Sequence, residues 1–570
     1  MRNFPATARR LWVAASVFTG LLISLNASAF TDGADRTVSR FGEYAEWTLT
    51  NSSFGGNPYD VQANAVFVHD NSGERRTTPM FYAGANQWKF RFTGTRTGRW
   101  SLTTVSNDPE LNGASGSVNV IGNSPYKGFV QATGGQWTRS ATGEAFVPQY
   151  VMYAAPHYFR TNTALINADI DRYLKGFGFT GFHIPVYCRW FDINEQRCSD
   201  VGDANPDPAT FDALEAIIQR VYQSGETVHL WAWGDSGRQQ NLTQLSGGEG
   251  GINGPADLRL QRYIAARLGP LPGWTMGYGY DLFEWVGGGE LTFWRNNMNN
   301  LMGWSHLLGA RGSTNSFAQP SEAMDFASYE THRPTYSAYR LSVSQRPNKP
   351  AFSEDRFRFR GNGQRAKDYT LDEMRLGMWH SAIAGGVANI WGNSTAADGV
   401  TYDEGINEAL RPSNSFSNAD ALRTYRFFVD RYYELGMINC DQEADAPCQR
   451  RANNSARNLF KENANNIQVD LSGHTGARSV TAVDTRRAWA PVSLGNVDAG
   501  NVQISLPYVS DWAVSIGGDS AAAAPVQPPV AETPAPPPIT PPTPPQPPEV
   551  GQGPGLDTNP PAPVRNLRVD

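Results

Sequence analysis

Between residues 146 and 435, short apolar runs alternate with longer stretches that carry apolar residues at helical spacing, and this rhythm leaves few folds open. Eight runs read as strands: residues 146–153, 181–187, 227–233, 275–280, 307–311, 324–329, 351–354 and 387–391. The helix predicted over 211–224 is the clearest of those between them. Leu214, Ile217, Ile218, Val221 and Tyr222 form one stripe, and Asp207 before Pro208 supplies a start signal. A helix over 418–435 follows the eighth run. Apolar runs without alternation suit strands covered on both faces, as in parallel sheets. Eight of them interleaved with helices predict a (β/α)8 TIM barrel over 126–436, a fold whose chemistry gathers at the C-terminal ends of its strands.

The flanks read differently. Residues 30–125 hold alternating runs at 43–49, 63–68, 88–92 and 100–105, separated by Gly, Asn and Pro, which predicts an N-terminal β-sandwich. A second β-rich piece over 437–518, with strands from 458 to 516, is expected to be a C-terminal β-sandwich. Residues 519–570 carry 17 of the 38 prolines, so 519–559 reads as an extended linker without a core. At the other end, Arg2, Arg9 and Arg10 precede an apolar run over 11–25 and Ala27-Ser28-Ala29, the layout of a secretory signal peptide over 1–29. No membrane span is expected, and the predicted location is secreted, extracellular or periplasmic. In an exported chain, Cys188 with Cys198 and Cys440 with Cys448 are most simply two loop disulfides; a zinc site using all four is the alternative.

Composition narrows the chemistry. The formal net charge is −6 and no basic stripe is visible, so no nucleic-acid partner is expected. HExxH, His-x-His, GxSxG and phosphate-loop motifs are absent and the chain has only 8 His, so neither a metal nor another cofactor is expected. His183 and His229 fall inside strands and read as core histidines. The 16 Trp matter because of where they stand. Tyr187, Arg189, Trp190 and Asp192 follow the second strand; Trp231, Trp233, Asp235 and Arg238 the third; Asp281, Glu284 and Trp285 the fourth. Glu330, His332 and Arg333 follow the sixth, Glu354 and Asp355 the seventh, Trp391 and Asn393 the eighth. Carboxylates among flat aromatic faces are what glycosidic-bond cleavage requires.

Several motifs resemble known families. Asn57-Pro-Tyr-Asp-Val61, Phe81-Tyr-Ala-Gly84 and Gly98-Arg-Trp100 resemble the small β-sandwich that precedes many bacterial glycoside-hydrolase barrels. Lys349-Pro-Ala-Phe-Ser-Glu354 resembles the strand-seven motif of clan-A glycoside hydrolases, apiosidase-like ones in particular. Leu506 to Val514 resembles the end of the C-terminal sandwich behind such barrels, and 560–570 the first strand of a fibronectin type III domain. The resemblance implies a retaining glycoside hydrolase with Glu354 as nucleophile and the acid/base after strand four. There the chain departs from the pattern, because Gly279 stands where the family places its acid/base glutamate. Glu284 is the nearest replacement and Asp281 the second. The expected substrate is a polysaccharide or oligosaccharide, with binding residues Tyr187, Arg189, Trp190, Trp231, Trp233, Asp235, Trp285, His332, Arg333 and Trp391. The alternative is a non-catalytic carbohydrate-binding surface protein with a degenerate barrel. Sugar identity, linkage and oligomeric state are not written in these residues.

A proline-rich segment without an apolar face makes no stabilising contacts. Truncation after Gly518 is therefore expected to leave the melting temperature and any glycan activity unchanged within error; a clear loss in either would show that the segment packs on the rest of the chain.

Overall fold

A computed structural model describes residues 29–122, 125–245, 249–313, 316–332, 334–359, 369–394, 419–487 and 490–518. The expected signal peptide, Arg333, the proline-rich segment and the fibronectin-like end lie outside the described residues, as does the Asn393 side chain.

The N-terminal region is a sandwich, as its alternating runs predict. Asp35–Ser39, Ser115–Ile121, Gly98–Ser106, Ala63–His69 and Arg75–Pro79 form a five-stranded sheet in that order, facing a three-stranded sheet of Ala45–Thr50, Gln87–Phe92 and Phe81–Tyr82. Inward-facing Trp47, Phe67, Phe90, Phe92 and Trp100 fill the space between them, with Trp47 stacked on Phe90 at 5.3 Å.

Eight parallel strands follow: β1 (Gln149–Met152), β2 (Gly181–Pro185), β3 (Thr227–Trp233), β4 (Trp274–Gly279), β5 (Leu308–Gly309), β6 (Ala327–Tyr329), β7 (Ala351–Phe359) and β8 (Ala388–Ser394). They pair in the order β5-β4-β3-β2-β1-β8-β7-β6. Single hydrogen bonds close the remaining seam between β5 and β6: Asp325 N–H donates to Leu308 O at 2.8 Å, and Gly312 N–H to Ser328 O at 3.2 Å. Tyr150, Phe326, Phe352 and Ile390 pack inside the barrel, joined by Trp137 from the hairpin Val130–Thr133/Gln136–Arg139, which precedes β1. The predicted helix over 211–224 is Pro208–Gln223, capped by Asp207. The closing helix is Ala419–Tyr432.

Of the strand ends that differ from expectation, two have local reasons. β2 stops at Pro185, and the chain turns through Tyr187 in the left-handed region (φ 58°). β7 runs on to Phe359 because its register against β8 jumps between Ser353 and Arg356, leaving Glu354 and Asp355 as a bulge.

The C-terminal region is β-rich, as its runs predict. Met437–Asn439, Cys448–Arg451, Arg457–Asp470, Asn501–Ile516, Arg478–Asp484 and Val492–Val497 hydrogen-bond in that order into one antiparallel sheet, and it begins well before residue 458. The barrel helices cover one face of this sheet. Phe460 stacks on Trp379 of helix Leu371–Ile383 at 5.6 Å, and Val483 and Ala513 join the barrel-side core. Leu459, Ala482, Trp512 and Val514 turn the other way into the sheet's own core. Both expected disulfides are formed, with Cα separations of 5.0 Å for Cys188–Cys198 and 4.9 Å for Cys440–Cys448.

Sandwich and barrel share an ionic joint. Arg91 of the sandwich pairs with Glu215 of helix Pro208–Gln223 at 2.7 Å, and Arg267 of helix Pro255–Arg267 also pairs with Glu215. All three are buried. Burial alone would raise the Glu215 pKa, but the two guanidinium groups outweigh it and hold the carboxyl below its ordinary value of 4.5. Removing one member of such a cluster strands the others. Glu215→Ala is expected to lower unfolding stability by about 3–5 kcal/mol, read from denaturant midpoints. Because the folded pKa is depressed, this contribution is fully present above the ordinary value and fades as pH falls through the folded one. The gap between wild type and variant should therefore narrow on acidification below about pH 4.5.

Candidate active site

The bulge in β7 places two consecutive carboxylates in the upper barrel. Glu354 is fully buried and enters the interior. Its Oε1 accepts the indole N–H of Trp231 at 2.6 Å and lies 3.0 Å from Nε2 of His229, while the Ser328 hydroxyl donates to Oε2. His229 Nδ1 lies 2.9 Å from the Thr275 hydroxyl, so with Nδ1 as acceptor Nε2 is left to donate to Glu354. Space for the carboxylate comes from β4. A Cβ on Gly277 would stand 1.8 Å from Glu354 Oε1. Donors from β3 and β6, with a side-chain gap on β4, make burial of the carboxyl group here tolerable. His229 is thus a satisfied core histidine, as its strand position predicts, and its partner is the candidate nucleophile.

Above Glu354 lies Arg311, just past β5. Its guanidinium sits 5.7 Å from the Trp231 ring centre and 5.8 Å from that of Tyr280, and it donates to the Glu354 carbonyl at 3.3 Å. It also meets Glu330 at 2.8 Å, Asp281 at 3.0 Å and Asp355 at 3.8 Å. His332 lies 3.0 Å from Glu330 and 3.5 Å from Asp355. Arg311, Glu330 and Asp355 are buried, while the side chains of Asp281 and His332 are 33% and 27% exposed and open this network to solvent. One ligand atom each from Glu330, His332 and Asp355 fit within 4.8 Å of one another, a spacing that could hold a cation. Arg311 already supplies the positive charge at that cluster.

Strand four behaves otherwise. Gly279 has φ 145°, and a Cβ there would stand 2.1 Å from the Trp233 carbonyl oxygen, so this backbone admits no side chain at the position where the sequence resemblance would put a glutamate. Asp281, two residues on, adopts the left-handed region (φ 52°) and reaches Arg311. Glu284 closes the turn Leu282–Glu284, is exposed, and accepts the Ser236 N–H at 3.2 Å from the loop after β3. The network of Glu354 and Arg311 thus includes Asp281, and Glu284 stands on the rim.

Several expected sugar platforms are interior residues instead. Trp190 donates its indole N–H to Ala232 O at 3.0 Å and packs on Phe211; Trp391 donates to Gln149 Oε1 at 2.7 Å and packs on Phe357; Trp233 lies against Phe191. Each indole is buried, so none of the three presents a face to the barrel mouth. Tyr187 is also buried, edge-on to Tyr280, and Trp285 is half-buried against Tyr278. Asp235 pairs with Arg238. Beside the ends of β2 and β3 a cleft of about 530 Å³ is lined by Arg189, Glu195, Arg197, Asp200, Arg238 and Gln240. The functional residue missed from sequence is Arg311, which ends the weakest strand run and belongs to no motif.

Residues 37–107 match the family model described as a domain of unknown function, DUF5060. No curated protein matches the chain. Among solved structures, a proposed glycoside hydrolase from Bacteroides vulgatus ATCC 8482 superposes over 85% of this chain and 99% of its own, with TM-score 0.66 and 16% identity. A family 5 glycoside hydrolase from the same organism covers 68% of this chain and 93% of its own, with TM-score 0.51 and 14% identity. A further structure named glycoside hydrolase gives 68%, 97%, 0.52 and 11%. The chain therefore carries an N-terminal DUF5060 domain ahead of a barrel with the fold of these glycoside hydrolases.

Proposed function

We propose that the protein is an exported glycoside hydrolase that cleaves O-glycosidic bonds of a polysaccharide or oligosaccharide by a retaining, two-carboxylate mechanism. The observation that carries this reading is Glu354: a carboxylate at the bulge in β7, oriented by Trp231, His229 and Ser328. A nucleophile needs that fixed aim toward an anomeric carbon. Because Glu354 is fully buried, attack requires the Arg311 layer above it to shift, and the partly exposed Asp281 and His332 mark where a sugar enters. Asp281 is the better-placed acid/base, since it follows β4 and shares Arg311 with β7. Glu284 remains the competitor on the rim. Absence of a membrane-crossing helix among the described residues and two formed disulfides agree with export.

The second reading, a carbohydrate-binding protein without turnover, draws on Gly279, whose backbone leaves the family's acid/base position empty. Reducing-end release across a glycan panel separates the two; binding without release would favour the second.

On a glycan that is cleaved, Glu354→Gln should abolish turnover. Asp281→Asn should cripple it for natural substrate, spare the first step for an activated aryl glycoside, and regain rate with azide, which replaces the water that needs a general base. Full activity of Asp281→Asn combined with loss in Glu284→Gln would transfer the role to Glu284. Retained activity in Glu354→Gln would end the nucleophile assignment.

Gly277→Ala tests the same carboxylate without touching it. The added methyl forces Glu354 aside, at an overpacking cost of about 1–3 kcal/mol. Misplacement on that scale should lower kcat by about 100-fold. Near-wild-type kcat in a folded Gly277→Ala protein would mean that the position of Glu354 is irrelevant to turnover.

A further inference from the structure

At the end of the barrel opposite Glu354, the sandwich meets the floor of the barrel around a cavity of about 550 Å³. Its walls come from three places: the turn at Arg40 and the loop at Thr95–Thr97 in the sandwich, the hairpin bearing Gln131 and Ser140, and Trp304–Ser305 ahead of β5. Three arginines, Arg40, Arg76 and Arg96, face one carboxylate, Glu74. Glu74 is shared, at 2.7 Å from Arg76 and 2.8 Å from Arg96. Arg40 donates Nε–H to the Thr95 carbonyl at 3.1 Å, and no carboxylate among the described residues pairs with it. The cavity thus carries excess positive charge on a chain whose formal charge is −6. No basic stripe marks it in the sequence, because the three arginines converge only through the sheet pairing.

We infer that this cavity is a binding site for an anionic saccharide, one bearing carboxylate or sulfate groups, separate from the barrel mouth. Guanidinium groups match planar or tetrahedral oxyanions through paired N–H donors. Thr97, Ser140 and Ser305 hydroxyls and the Gln131 amide offer partners for ring hydroxyls. The volume falls within the range that holds small ligands. A site here would keep an acidic polysaccharide on the protein while the opposite face works on another part of it, and it does not depend on whether that face is catalytic.

The test is calorimetry on the full chain at low salt, with an oligogalacturonate and a chondroitin sulfate oligosaccharide as acidic probes, a xylo-oligosaccharide as the neutral one, and a short oligothymidylate as a non-sugar polyanion. At least one acidic probe should bind, more weakly as salt rises, and the neutral sugar and the oligothymidylate should bind at least tenfold more weakly. Arg40→Ala/Arg96→Ala should weaken the acidic probe at least tenfold. Both side chains are exposed, so its melting temperature should match wild type. Arg40→Lys/Arg96→Lys should recover part of the loss, and Glu354→Gln should bind as wild type does. The inference fails if neither acidic probe binds, if the double alanine variant binds unchanged, or if oligothymidylate binds as tightly as the acidic sugars. Loss of binding in Glu354→Gln alone would place the ligand at the barrel mouth and also overturn it.

Discussion

A fully buried carboxylate has to be satisfied by its surroundings, and Glu354 imposes that requirement on the whole upper barrel. Below it the interior is filled by Tyr150, Phe326, Phe352 and Ile390, which ask nothing of their neighbours except volume. At its own level the strands are no longer interchangeable. β3 must carry an imidazole and an indole with N–H groups turned inward, β6 a hydroxyl, and β4 no side chain at all. If the carboxylate were removed, these donors would themselves be buried without a partner. Site chemistry and barrel stability are consequently one problem here.

The parts of this arrangement legible in the sequence follow from periodicity. Apolar runs located all eight strands, and β3 lies where the run at 227–233 places it, because that run is mostly apolar and stops at Gly234. What a parallel strand does not declare is which side faces the barrel and which the helices, since both are apolar. That ambiguity explains the tryptophans: Trp231 turns inward to Glu354, whereas Trp391 turns outward to Gln149 and the helix at Gly377, and nothing local distinguishes them. Arg311 was illegible for a different reason. Its partners Asp281, Glu330 and Asp355 come from three other strand ends, so its role exists only after closure. In the C-terminal region the alternating strands carry two apolar faces, of which one packs on barrel helices and the other forms the sheet's own core.

The boundary that strand pattern puts at residue 125 is crossed by packing. Trp304, from the segment that leads into β5, is buried in the sandwich core and donates to Thr93 O at 3.0 Å, while Arg91 crosses the other way to Glu215. An excised barrel would expose an indole and leave Glu215 with Arg267 as its remaining guanidinium partner. Strand pattern marks where a fold type changes, and cooperative units are set by such shared groups.

The empty position at Gly279 has a consequence for how such a barrel can change chemistry over time. Its missing side chain is enforced by the Trp233 carbonyl 2.1 Å from where a Cβ would lie, on the neighbouring strand, so no single codon change at 279 can supply a carboxylate without shifting β3 against β4. Variation that keeps this backbone can instead place acids on the turn beyond β4, where Asp281 and Glu284 already stand.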